Sequence, residues 1–253
     1  MKRRHTLNDF NRVDQNELSQ KTAIHEAGHA AAIYFVNKQK MLPPVFFRII
    51  IGDCSCLPYD DCMTKVEGGR LIHTLPYSFE EATRHFSAAQ KHAYQLAFEA
   101  DIVNLLVGSL AEANYIAQRD NELINPRLVP LNALHNYGGA SDLEIVDEYL
   151  QCFIPDKAQQ ERKITELFWT AFNFINNCAH WYAINALANY ILTNNKNVIN
   201  YEEVATILDS HFSLINQRTQ QLSQSVSKPI KCSNCGVCLS MPTGVRPLLS
   251  SCC

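Results

Sequence analysis

Thr22-Ala23-Ile24-His25-Glu26-Ala27-Gly28-His29-Ala30 is the stretch that decides the reading of this chain. Within it, His25-Glu26-Ala27-Gly28-His29 matches H-E-x-x-H. On a helix, residues four apart share one face, so both imidazoles reach a single metal ion. Glu26 projects about one residue's turn away, where it can take a proton from a water and pass it to a leaving amine. Zn2+ suits such a site, because it makes a bound water acidic near neutral pH. Around the motif, Leu18, Ala23, Ala27, Ala30, Ala31 and Tyr34 recur at helical spacing. They predict a helix from about Asn16 to Asn37 with an apolar face of mostly small residues.

A catalytic zinc normally takes a third protein ligand. Three residues qualify on chemistry. Asp142 opens a helix just after Gly138-Gly139-Ala140-Ser141, a turn able to bring backbone close to a site. Glu144 lies nearby, although its spacing from Ser141 suits a capping box, and His135 lies in the preceding loop. Read without a ligand role, Asp142 is an ordinary helix-start acid favoured by the helix dipole.

Outward from the motif, Pro43-Pro44 closes the first helix, and Val45 to Ile51 reads as a strand. Residues 52 to 76 read as loop and short strand. A second helical region opens at Ser78, with Glu81 at capping-box spacing, and continues with one break to about Gln118. A third helix starts at Ser141, burying Leu143, Val146, Leu150 and Phe153, and Pro155 bounds it. Helices over about 157–176 and 179–194 follow, then a short one near Asn200 with Glu203 in the capping position. The expected fold class is mainly α with a small β-sheet. It divides into an N-terminal arm (1–15), one domain (16–221) and a Cys-rich tail (222–253).

The net charge of -3 gives no electrostatic footprint for nucleic acid. No apolar run reaches the roughly 18 to 20 residues of a membrane-spanning helix. Polar residues follow the basic start Met1-Lys2-Arg3-Arg4-His5 where a signal peptide would be apolar. The ten cysteines cluster instead of forming a spread disulfide framework. Both features lead us to expect the cytoplasm or another reducing compartment. Cys232, Cys235 and Cys238 have the spacing of a zinc or iron–sulfur site, with Cys252 or Cys253 as a fourth ligand. The plainer reading is a tail of reduced thiols. Cys54, Cys56 and Cys62 with His73 form a second, looser metal-ligand set.

The zinc helix resembles that of the FtsH-type membrane proteases, peptidase family M41, whose HEAGHA core is more specific than bare H-E-x-x-H. Gly108-Ser109-Leu110-Ala111-Glu112 is similar to that family's Gly-Arg-x-Ala-Glu-Glu stretch, and Gly139-Ala140-Ser141-Asp142-Leu143 to its Gly-Ala-Ser-Asn-Asp-Leu segment. Residues from about Ile164 to Leu208, with Trp181, Ala188 and Ile191, resemble the closing helices. The likeness covers about residues 16 to 210 and implies an FtsH-peptidase-like helical zincin domain. It implies Asp142 as third zinc ligand, Glu112 as a carboxylate behind the metal, and Val45 to Ile51 as the strand that pairs with an extended substrate.

The departures are informative. No G-x-x-x-x-G-K-[ST] phosphate loop occurs, so ATP-driven unfolding is not expected of these residues. One residue is missing before Asp142, and Ser109 and Ala113 replace an arginine and a second glutamate. Cys252-Cys253 resembles the prenylated ending of Rab-type GTPases, which inside a eukaryotic cell would give peripheral membrane attachment. The leading expectation is an ATP-independent zinc endopeptidase acting on peptides or unfolded protein segments. The alternatives are a zinc-binding pseudoprotease serving as an adaptor, and a zinc hydrolase of non-peptide amides.

Overall fold

The computed structural model describes residues 7–52, 64–125 and 129–226. The cysteine sets Cys54, Cys56, Cys62 and Cys232, Cys235, Cys238, Cys252, Cys253 lie outside these described residues. Within them the fold is mainly helical with one three-stranded antiparallel sheet. None of the described helices is long and apolar enough to cross a membrane.

Helix α1 (Leu7–Gln39) carries the H-E-x-x-H motif and begins well before the expected Asn16. Its small-residue face is buried at Ala23, Ala27, Ala30 and Ala31. That face lets α1 lie close against α3 (Ala88–Arg119), the other long helix of the core. A Cβ on Gly28 would stand 2.9 Å from the Ala111 Cβ and 3.1 Å from the Val107 carbonyl. The glycine inside the motif therefore sets how closely the two helices approach.

The break expected in the second helical region is real, but the capping is divided. Ser78 caps only the four-residue α2 (Phe79–Ala82), accepting from Glu81 N. The reciprocal capping box belongs to Ser87 and Gln90, which open α3. After α3, a 3-10 turn (Leu131–Tyr137) leads into α4 (Ala140–Phe153). Ser141 and Glu144 do not form the expected cap, because Gly139 is the N-cap residue and the helix has already begun at Ala140. Glu144 is exposed. Leu143, Val146, Leu150 and Phe153 are buried as expected, joined by Tyr149.

Helices α5 (Lys157–Asn176) and α6 (Cys178–Thr193) meet at Asn177, whose side chain accepts from Ala179 N and His180 N. The final helix is long rather than short, α7 (Tyr201–Val226), and so passes the expected start of the tail. Val204 and Leu208 bury one face of it. Glu203 does not cap α7; it accepts hydrogen bonds from Tyr190 and Lys196.

The sheet has the order β2-β1-β3, from β1 (Phe47–Ile50), β2 (Lys65–Gly68) and β3 (Val198–Asn200). β1 pairs with β2 through Ile49 and Val66, and with β3 through Ile49 and Ile199. It is the central strand, with both edges used, and this corrects the expectation that it offers an edge to substrate. Among the described residues the edge strands are β2 and β3.

Candidate metal centre

The structure brings His25, His29 and Asp142 together at one point. His25 Nε2 lies 3.0 Å from His29 Nε2, and Asp142 Oδ2 is 3.3 Å from each. Ligands about 2.0–2.1 Å from a tetrahedral zinc are separated by about 3.4 Å, so a triangle of this size suits that ion.

The backs of the imidazoles explain why their Nε2 atoms converge. His29 Nδ1 sits 2.8 Å from the Asn104 carbonyl, which can only accept, so Nδ1 carries the hydrogen. His25 Nδ1 is 3.2 Å from Glu112 Oε2. In the neutral rings both Nε2 atoms then present lone pairs toward each other and toward the Asp142 carboxylate. Three electron-pair donors at this spacing repel unless a cation lies among them. Burial alone would push His25 down, but hydrogen bonds to Asp142 and Glu112, with the nearby Glu26 charge, raise it to about 10. Burial opposes His29 as well, and the Asp142 charge and hydrogen bond outweigh it and raise it. Burial would raise Asp142, yet the two imidazoles hold it below the usual carboxylate range. The point attracts positive charge, which a proton or a metal dication can supply.

One stripe of α3 builds the rear wall. Asn104, Gly108 and Glu112 recur every four residues and face the motif of α1. Gly108 is needed because a Cβ there would stand 2.3 Å from His29 Nε2. The Asn104 side-chain amide is buried without a partner among the described residues. Gly138, at φ +71 in the left-handed region, turns the chain into α4. A Cβ on Gly139 would lie 2.2 Å from Ser109 Oγ, so the turn packs directly on α3 and carries Asp142 to the histidines. Glu112 stands behind His25, whereas His135 is exposed and outside the trio, as is Glu144.

In front of the trio lies a cleft of about 590 Å³, bounded by α1, α3, β2 and the start of α4. Glu26 opens onto it, and its Oε2 accepts a 2.6 Å hydrogen bond from Val66 N on β2. Val66 alternates with the residues whose N–H groups pair with β1, so this N–H points to the side of β2 that no strand covers among the described residues. The loop after β2 is clamped by Asp101, which accepts from Leu71 N and Ile72 N at 2.9 Å. The Tyr149 hydroxyl lies 3.0 Å from both Asp101 Oδ2 and the Ile72 carbonyl. Burial pushes the Asp101 carboxyl up, and these donors pull it part of the way back. Asp101→Ala leaves the buried Ile72 N–H and the part-buried Leu71 N–H without their acceptor and is expected to cost about 1–3 kcal/mol. Denaturant unfolding measures it, and a midpoint equal to wild type would show that the clamp carries no stability.

Sequence reasoning missed Asn104, Gly108, Asp101 and Val66 as parts of the site. A signal existed for the first two: a polar residue and a glycine, four apart, interrupt the apolar run from Ile102 to Leu110. Val66 had none, because its role lies in a backbone N–H. Compared with known proteins, the chain matches no family model, no curated protein and no solved structure.

Proposed function

We propose that this chain is an ATP-independent zinc endopeptidase with an FtsH-type peptidase core, acting on peptides or unfolded protein segments. The observation that supports it is the convergence of His25, His29 and Asp142 at 3.0–3.3 Å, with Glu26 and the β2 edge, which no strand covers among the described residues, on the same cleft. When bound, zinc supplies Lewis acidity, polarising a peptide carbonyl and making a water acidic near neutral pH.

The chain's own residues do the rest. Asn104 and Glu112 hold the imidazoles in the ligating orientation. An extended substrate adds to the β2 edge by main-chain hydrogen bonds, so the site recognises backbone before side chains. Glu26 takes the proton of the attacking water and delivers it to the leaving amine. Its bond to Val66 N lies on the edge a substrate strand would use, so docking and release of Glu26 are coupled.

That same bond favours a second reading. Glu26 engaged by Val66 N is also what a zinc-binding adaptor without turnover would show. Metal analysis with cleavage of an unstructured protein separates the two: a zinc-loaded wild type that cleaves nothing across a broad peptide library sinks the peptidase reading. The ligand set has its own check. Asp142→Ala is expected to lower zinc affinity at least about tenfold to a hundredfold, and full occupancy under competition by a chelator would remove Asp142 from the site.

A further inference from the structure

The cleft carries two side-chain cations that the proposed chemistry does not use, Lys65 and Arg70, and of these Lys65 is exposed to solvent. Every carboxylate lining it has a partner. Glu26 accepts from Val66 N, Glu112 faces His25, and Asp142 faces both histidines. Glu67 pairs with Arg48 on the neighbouring strand, and Asp101 is engaged by two backbone donors and Tyr149. Arg70 lines the same cleft and is only half-buried. It makes no hydrogen bond or ion pair among the described residues. A guanidinium carries five N–H donors in a fixed fork, and none of Arg70's is taken by a protein acceptor among the described residues.

Its placement is built rather than loose. Arg70 follows the β2 edge through Gly68 and Gly69, at φ +90 and +84, a turn only glycine takes readily. The turn packs on α1, where a Cβ on Gly69 would stand 2.5 Å from Ile33. Directly after Arg70, Asp101 fixes the backbone of Leu71 and Ile72. The backbone is thus held on both sides, and Asp101, a carboxylate on which Arg70 bears electrostatically, is taken by other donors.

We propose that Arg70 is the carboxylate-binding residue of this cleft, selecting peptides that carry an anionic carboxylate beside the bond to be cut. The inference rests on the peptidase reading for the class of ligand. A peptide offers such a group in two ways, as an Asp or Glu side chain or as its own C-terminus. The planar fork suits either, since it pairs with a carboxylate through two parallel hydrogen bonds.

The test measures binding, so that it does not depend on turnover. Zinc-loaded full-length Glu26→Gln protein is titrated with fluorescent peptides in matched pairs. One pair exchanges Glu for Gln, and the other exchanges a free C-terminus for an amide. A preference of about tenfold or more for the acid member of one pair is expected, and that pair identifies the source. Arg70→Gln should bring the ratio close to one, with Arg70→Lys in between because an ammonium lacks the fork. A preference that survives Arg70→Gln, or no preference in either pair, overturns the inference. Arg70→Lys alone decides the matter if Arg70→Gln fails to fold. Absence of cleavage by the wild type would overturn the peptidase reading and leave the binding result standing.

Discussion

Glu26→Gln is expected to lower hydrolysis of an unstructured protein by about 10²–10⁴-fold, the usual share of a general acid–base residue, while zinc stays bound. The substitution is chosen for what it preserves. Glutamine keeps a carbonyl oxygen that can accept from Val66 N, so the contact between α1 and β2 survives. The three converging ligand atoms belong to His25, His29 and Asp142, so metal stoichiometry should equal that of wild type. Only the capacity to take up a proton is lost. Alanine would confuse the two effects by leaving Val66 N without its acceptor. The measurement is initial cleavage rate beside zinc content on the same preparation. A variant that cleaves at the wild-type rate would assign the base to another group; one that loses zinc would mean that Glu26 supports the metal instead.

The elements of this site were legible to different depths for a physical reason. H-E-x-x-H is a local pattern: its geometry follows from helical spacing, so His25, Glu26 and His29 could be read without a fold. Asp142 is more than a hundred residues away in sequence, and its spacing alone left it level with an ordinary helix-start acid. Only the likeness around Gly139 to Leu143 raised it. The expected edge position of β1 fails because apolar, β-branched Ile49 to Ile51 marks a strand but not its neighbours. In a sheet of order β2-β1-β3 the most strand-like segment became the centre, and the polar Lys65–Gly68 became the edge. Polar, short edge strands are what exposed sheets generally use. Capping was misread at Ser141 for a related reason. Ser and Glu three apart are permissive, and the left-handed Gly138 decided where α4 begins.

Gly108→Ala carries the second large expectation, and its sign is what makes it useful. Inside a helix, alanine is more favourable than glycine by about 0.8–1 kcal/mol, so on local grounds this change should stabilise α3. The tertiary structure predicts the opposite. The added Cβ would stand 2.3 Å from His29 Nε2 and 2.4 Å from its Cε1, closer than any real contact. His29 cannot simply slide, since its Nδ1 is tied to the Asn104 carbonyl. Nor can α1 retreat cheaply, because Gly28 packs on the Ala111 Cβ and the Val107 carbonyl one turn away. Overpacking of this kind costs about 1–3 kcal/mol, and a displaced imidazole should weaken zinc binding at least about tenfold to a hundredfold. His29→Ala supplies the control. In that background the clash partner is gone, so Gly108→Ala should become neutral or stabilising, and the two changes should be strongly non-additive. Unfolding of the four members of this cycle, with zinc removed by chelation, measures the coupling directly. Additive effects would mean that the imidazole does not lie against Gly108, and the metal centre would then have to be built differently.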